Sequence, residues 1–300
     1  SAMAPAAAAR QLWSRADRVP AGSRRATISA LEQFPGGIPL FQQNFRNWSG
    51  GIQADDVWTC QPSTPKDVMK IADWAATHGY SIRPRGYSHN WSPLVIAPDD
   101  MQVDQSADRI VLLDMTAGFT DMSMIDGTPA AVTVGGGASM EMLLTFLEDN
   151  GYGVTSCPAP GDLSIGGVLA IDGHGTGIPA DGETPVSGQT FGSISNRVLS
   201  LTVIAWDDKR NRYGLRTIRR TDDDASAMIV AMGRTIVIEA TLRVEPNQNL
   251  RCESYLSISG DELFAPAGSS GQTFESFLDE SGRVETIWYP FTDNPWLKVW

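Results

Sequence analysis

The 300-residue chain is 42% hydrophobic and 19% charged, the composition of an ordinary globular protein. Its formal net charge of −12 argues against non-specific nucleic-acid binding, which needs clustered Lys and Arg, and against electrostatic docking on an anionic membrane. No run approaches the roughly 20 apolar residues of a membrane-spanning helix. The scattered Cys60, Cys157 and Cys252, with His78, His89 and His174, suit neither a disulfide framework nor a zinc site, so no metal is expected.

Ser1-Ala2-Met3 reads as a cloning scar and residues 1–33 as a disordered arm. Arg24-Arg25 lacks the apolar stretch that would make it an export signal. Order is expected from Phe34-Pro35-Gly36-Gly37 and through the aromatic run Phe41 to Trp48. A helix follows, with Thr64 as N-cap, Pro65 at its first position and Asp67 completing a capping box. Its apolar face is Val68, Ile71, Ala72, Ala75 and Ala76, and Gly79 closes it. A strand from Ser81 to Arg85 runs straight into Gly86-Tyr87-Ser88-His89.

Strands are expected at Ile110–Asp114 and Ala131–Val134. A second helix starts at Ser139, turns Met142, Leu143, Phe146 and Leu147 inward and stops at Gly151, ahead of a strand over Tyr152–Thr155. Two helix-then-strand phrases, each ending in a Gly- or Pro-rich loop, predict two α+β subdomains whose loops face a shared crevice. Val198–Trp206 and Tyr213–Thr217 read as a hairpin. A helix led by Asp222, Asp223 and Asp224 ends at Gly233, before a long strand over Thr235–Val244. Residues 34–245 are thus one domain. Residues 246–300, richer in aromatics, begin a second that is expected to continue past Trp300.

Three loops carry the chemistry. In Asp162-Leu163-Ser164-Ile165-Gly166-Gly167, Gly161 supplies a turn and Ser164 a cap, and free N–H groups at the helix start would favour a diphosphate. No GxGxxG follows a predicted strand, which disfavours the Rossmann type of dinucleotide site. Gly173-His174-Gly175 adds a permissive loop that is also readable as a plain tight turn. Arg83-Pro84-Arg85-Gly86-Tyr87-Ser88-His89-Asn90-Trp91 is the sharper signal: two arginines suit phosphate, Gly86 allows close backbone approach, and a histidine sits at the loop tip.

Together, Arg85-Gly86-x-Ser88-His89, Pro160-Gly161-x-x-Ser164-Ile165-Gly166-Gly167 and Gly173-His174-Gly175 resemble the PCMH-type FAD-binding fold of the vanillyl-alcohol-oxidase superfamily. The resemblance spans roughly Trp58 to Val244. It implies an α+β, two-subdomain FAD-binding domain in which FAD is covalently attached through His89. Cofactor contacts are implied for Pro84, Arg85, Gly86, Tyr87, Ser88 and Asn90 in the first loop. Pro160, Gly161, Asp162, Ser164, Ile165, Gly166 and Gly167 supply the second set, and Gly173, His174, Gly175 and Ile236 the last. Tyr87 and Asn90 depart from any fixed family pattern, so the hydrogen bonding around His89 does not carry over.

Leu40-Phe41-Gln42-Gln43, Asn47-Trp48-Ser49, Glu262-Leu263-Phe264-Ala265-Pro266 and Ile287-Trp288-Tyr289-Pro290-Phe291 narrow the resemblance to bacterial type II cholesterol oxidases. It implies that residues 246–300 start an α+β substrate-binding cap and that Glu285 is a catalytic carboxylate of the active-site cavity, although a solvent-facing strand residue is the alternative. The implied reaction oxidises a sterol or other apolar alcohol with O2, giving hydrogen peroxide, and isomerises the steroid double bond. Trp288, Tyr289, Phe291, Trp296 and Trp300 would wall the sterol cavity or belong to a sheet core. Export to the periplasm or medium is likewise implied. The alternatives are a sugar, alditol or lactone oxidase on the same scaffold, with a polar pocket, and a non-catalytic flavin-binding fragment.

Overall fold

A computed structural model describes residues 31–96 and 109–300; the N-terminal scar, the export-signal reading and most of the expected arm lie outside the described residues. Leu31–Phe34 belong to a unit of their own, in which the Phe34 N–H donates to the Leu31 carbonyl, and Pro35–Trp300 form the other.

The first sheet of the larger unit grows from β1 (Leu40–Arg46) and β2 (Gln53–Cys60), an antiparallel pair turning at Trp48–Gly51. Parallel strands need a crossover. Helix α1 (Pro65–His78) supplies it, carrying the chain from β2 to β3 (Ser81–Arg85), and β4 (Ile110–Asp114) inserts between them in the order β1-β2-β4-β3. The first four residues of β4, all apolar, are buried on both faces, as a central parallel strand requires. The capping box of Thr64 and Asp67 forms as expected, with Pro65 in the first turn and Gly79 left-handed at the end. One position on the α1 face differs: Ala76 is exposed, and Trp74 is buried instead. Trp74 follows Ile71 by three residues, and its ring stacks on His78 and Tyr80, a contact no alanine can make.

The second sheet is antiparallel throughout, ordered β5 (Met122–Ile125), β6 (Ala131–Gly135), β10 (Ile236–Arg243), β8 (Val198–Asp207) and β9 (Arg212–Arg219). Helices α2 (Met140–Asp149) and α3 (Ile165–Ala170) contribute Met140, Leu143, Leu147, Ile165, Val168 and Leu169 to a core shared with Val134, Leu201, Val203 and Ala240. Each large aliphatic side chain fully buried there contributes roughly 1.5–3 kcal/mol. Met142, expected inward, is exposed and Phe146 half-buried. The N-cap at Ser139 fixes the helix phase, so the buried stripe runs Met140, Leu143, Leu147.

Two expected elements are shorter than the sequence suggests. The strand after α2 is only β7 (Tyr152–Gly153), paired with β11 (Glu245–Pro246). The helix expected to run to Gly233 is the single turn α4 (Ala225–Met228), and Asp224 makes no side-chain cap. Beyond it Val230 and Met232 adopt left-handed conformations (φ 59° and 48°) and donate their N–H groups to Leu169 and Ala170 at the end of α3. The chain leaves the helix to pair with α3, which brings Met232 and Gly233 toward the loops described below.

The last segment forms a three-stranded antiparallel sheet, β12 (Glu253–Tyr255), β14 (Trp296–Val299) and β13 (Val284–Ile287). It packs with α5 (Gly260–Leu263) and α6 (Phe274–Ser281) around Ile258, Leu263, Phe277, Val284 and Leu297. It is fastened to the preceding part by Arg283, whose guanidinium holds the Glu183 carboxylate at 2.5 and 2.9 Å, and by the Ile178 N–H donating to Gly282 O. Deeper in, Arg197, fully buried, makes a bidentate pair with Glu245 at 2.5 and 3.0 Å, and Thr155 donates to the same carboxylate.

Candidate active site

The loops leaving β3 and preceding and following α3 meet around a cleft of about 410 Å³, within the range of small-molecule and cofactor sites, roughly 300–1,000 Å³. Pro84, Arg85, Gly86, Tyr87, Ser88, His89 and Asn90 line it from the first loop. Pro160, Ser164, Gly166 and Gly167 line it from the second, and Gly173 and His174 from the third. The shared crevice expected from the two Gly- and Pro-rich loops is therefore present.

Close backbone approach builds the cleft. A Cβ on Gly86 would lie 2.0 Å from the Ser164 hydroxyl oxygen, so the first loop sits directly on the cap of α3. Gly136 passes β10 so closely that its Cβ would meet Val237 O at 2.2 Å. Ser164 caps α3 by accepting from the Gly167 N–H at 3.2 Å, as the sequence suggests. The free donors expected at that helix start are absent, however. The Ile165 and Gly166 N–H groups donate to Ala138 and Gly136 carbonyls, both at 2.8 Å, and Val168 donates to Ser164 O. Two of the first four amides stitch α3 to the Gly135–Ser139 loop and the other two bond to Ser164, so all four are already taken within the protein.

His89 is held at the cleft by contacts from two other segments. Ser88 before it is left-handed (φ 61°), and its carbonyl accepts from the Trp48 N–H at 2.8 Å. The Trp48 indole stacks on the imidazole with centroids 5.4 Å apart. Nε2 lies 3.0 Å from Asp162 Oδ2, with the His89 side chain 14% and the Asp162 side chain 58% exposed. The ring N–H does not point along that vector, so Nε2 is buried at ion-pair distance without a formed hydrogen bond. Asp172 and Met232, also lining the cleft, share the left-handed backbone (φ 58° and 48°), a strain that clusters at ligand sites. Burial holds the Tyr87 phenol above its usual pKa, against the opposing effect of its hydrogen bond with Ser139, so the hydroxyl stays protonated.

Other expected site residues lie elsewhere. Ile165 is fully buried in the core, and Gly175 packs against Cys157 and Ser156. Gly161 turns its carbonyl to the Glu141 N–H, and Asp162 reaches the site through His89 instead of the cleft wall. Ile236 is buried off the cleft while its neighbours Thr235 and Val237 line it, because alternate strand residues face opposite sides. Glu285 is not among the cleft-lining residues: it sits on β13 opposite Lys298, whose ammonium donates to it at 3.2 Å. Trp288, Tyr289 and Phe291 are exposed on the loop after β13, with Trp288 stacked on Phe264. Sequence reasoning quoted Trp91 in the first loop without giving it a role, and it missed Met115, Gly136, Met232 and Val237. The Gly135-Gly136-Gly137 run after β6 and the alternation of β10 were signals for two of them.

The residues present fit a flavin nucleotide. The cleft is narrow where glycine replaces any side chain, Leu94, Val95, Leu163 and Val168 give apolar walls, and Arg85 supplies a cation. Asn90 Oδ1 and His89 Nε2 are buried polar atoms without a hydrogen-bond partner in the protein.

A family profile described as "FAD binding domain" matches residues 58–210, and one described as "Cholesterol oxidase, substrate-binding" matches residues 249–300. Among solved structures, a solvent-stable cholesterol oxidase is 52% identical with a TM-score of 0.86, over 90% of this chain and 49% of that one. Cholesterol oxidase from Brevibacterium sterolicum is 42% identical with a TM-score of 0.87, over 92% and 50%. A curated relative, D-arabinono-1,4-lactone oxidase of Candida glabrata, is 25% identical over 83% of this chain and 42% of that protein. L-gulonolactone oxidase of Mus musculus is 20% identical over 83% and 49%. The chain spans about half the length of each of these relatives. With half of its residues matched by the first profile, and the loops within that match converging on one cleft, the chain belongs to the FAD binding domain family.

Proposed function

We propose that this protein is an FAD-dependent alcohol oxidase acting on a 3β-hydroxysteroid such as cholesterol, with FAD bonded to His89 and dioxygen as the final acceptor. The observation that carries the reading is the succession of two matched parts: an FAD-binding fold over residues 58–210 and a cholesterol-oxidase substrate-binding segment over 249–300. Bound FAD supplies the hydride acceptor for the alcohol and, on reoxidation, the source of hydrogen peroxide.

The chain's own residues bind and orient. The Gly86–Asn90 loop and the Ser164–Gly167 turn enclose the cofactor, Trp48 and Trp91 shield His89, and apolar walls keep water from the redox centre. Glu285, in the substrate-binding segment, is assigned to the polar end of the sterol site, where a carboxylate serves oxidation and double-bond isomerisation. Its carboxylate accepts a hydrogen bond from the Lys298 ammonium at 3.2 Å.

Sugar-lactone oxidation has support from the curated relatives, at 25% and 20% identity. The test is hydrogen peroxide release by the full-length protein with cholesterol, an alditol and an aldonolactone in parallel. Release with cholesterol alone is expected; release only with the lactone would overturn the sterol reading.

A further inference from the structure

We infer that Arg283 is a positioning residue of the oxidation: by gripping Glu183 it fixes the sheet face that carries Glu285 against the loop that walls the cofactor cleft. This rests on the function proposed above. The loop runs from Ile171 to Ile194, and its ends belong to the cleft. Ile171, Asp172, Gly173 and His174 line it, and the Ile194 N–H returns to Gly173 O at 3.0 Å. The middle of the loop belongs to the last segment. There the Ile178 and Asp181 N–H groups donate to the Gly282 and Asp279 carbonyls at 2.8 and 2.9 Å. The Arg283 guanidinium takes both Glu183 oxygens, at 2.5 and 2.9 Å, and lies 5.4 Å from the Phe191 ring centroid. The two side chains are only 12% and 23% exposed, and a bidentate pair so placed is stronger and more directional than a surface ion pair. Gly282 is left-handed (φ 68°), and a Cβ on it would meet Ile178 O at 2.2 Å, so the two parts touch backbone to backbone beside the clasp.

Successive side chains of a strand point to opposite faces. Val284 points into the core of the last segment with Phe277 and Leu297, so Arg283 and Glu285 project from the other face of the sheet. Lys298, paired with Glu285 across the ladder, shares that face and lies 4.5 Å from the Trp296 ring centroid. The Arg283 carbonyl accepts from the Trp300 N–H at 3.0 Å, which extends the β13–β14 ladder through the clasp residue itself. Two residues of extended chain, roughly 7 Å, separate Arg283 from Glu285, so a slip of the clasp carries the carboxylate with it. Neither Arg283 nor Glu183 lines the cleft, and their influence on the reaction is through placement alone. A displacement of about 1 Å at a reacting centre costs up to about a hundredfold in rate.

The experiment uses the full-length holoenzyme and measures anaerobic flavin reduction by cholesterol, the share of product whose double bond is not isomerised, and the melting temperature. Wild type is compared with Arg283→Met, Arg283→Lys and the exchange of Arg283→Glu with Glu183→Arg. Leu263→Ala is the control, since it opens the core of the last segment without touching the clasp. Arg283→Met is expected to reduce flavin at least about tenfold more slowly and to release more unisomerised product. Arg283→Lys should fall between, because an ammonium lacks the planar fork that spans both oxygens, and the exchange should recover part of the rate. Leu263→Ala should melt lower yet reduce flavin at the wild-type rate while folded. A readout apart from activity is hydrogen exchange by mass spectrometry: peptides covering residues 178–181 should exchange at least about tenfold faster in Arg283→Met than in wild type. Equal flavin reduction or equal exchange in wild type and Arg283→Met, or an equal loss of rate in folded Leu263→Ala, would overturn the positioning role. A wild-type protein whose flavin is not reduced by cholesterol would instead overturn the function on which it rests.

Discussion

Replacing Gly86 with alanine tests how the cleft is built. The new methyl would lie 2.0 Å from Ser164 Oγ and 2.6 Å from Ser164 Cβ, far inside contact distance, so one loop must move or the hydroxyl must leave its cap. Losing the cap on α3 costs about 1 kcal/mol. Overpacking at a tight contact adds roughly 1–3 kcal/mol. The expected loss is therefore about 2–4 kcal/mol, a fall of roughly 4–16 °C in melting temperature for a protein of this size. FAD affinity should fall with it, since both loops line the cleft. Ser164→Gly removes the obstructing atoms, and glycine at an N-cap costs only a few tenths of a kcal/mol. Gly86→Ala should thus be nearly silent in a Ser164→Gly background, a coupling of about 2–4 kcal/mol in a double-mutant cycle read by thermal unfolding and FAD titration. Equal penalties for Gly86→Ala in both backgrounds would refute the close approach as the reason for glycine.

Arg197→Ala strands the buried Glu245 carboxylate and should cost about 3–5 kcal/mol in denaturant unfolding, while Arg197→Met with Glu245→Leu recovers most of it. The hydrogen bond from Arg283 lowers the Glu183 carboxyl from 4.5 to about 2. A depressed folded-state pKa means this contribution is present above pH 4.5 and is lost as pH falls toward 2; Glu183→Gln should flatten that limb of melting temperature against pH. Ile236→Ala should lose about 2–5 kcal/mol of stability with FAD affinity unchanged. Thr235→Trp should do the reverse, weakening FAD about tenfold or more by calorimetric titration.

Much of the first subdomain was legible because its signals are local. Thr64, Pro65, Asp67 and Gly79 mark α1 by side-chain chemistry, and the apolar run of Ile110–Leu113 marks a strand buried on both faces. The stretch from Arg83 to His89 stood out because two arginines, a glycine and a histidine have few joint uses. What stayed illegible depends on contacts between distant residues. The amides at the start of α3 look free in sequence and are taken by Gly136 and Ala138, and the α4 helix is cut short because Val230 and Met232 pair with α3. The approach of Asp162 to His89 joins loops 73 positions apart, and no local pattern announces it. Ile236 is buried between the cleft-lining Thr235 and Val237, a placement that the period of two in β10 would have shown.

The central claim is that the cleft holds FAD with His89 as its covalent anchor. The most direct measurement is flavin fluorescence on a denaturing gel of the full-length protein beside its His89→Ala variant. Fluorescence that travels with the wild-type band and disappears in the variant is the predicted result. A dark wild-type band from a yellow folded protein would contradict the covalent anchor, and a protein that holds no flavin in either form would contradict the account as a whole.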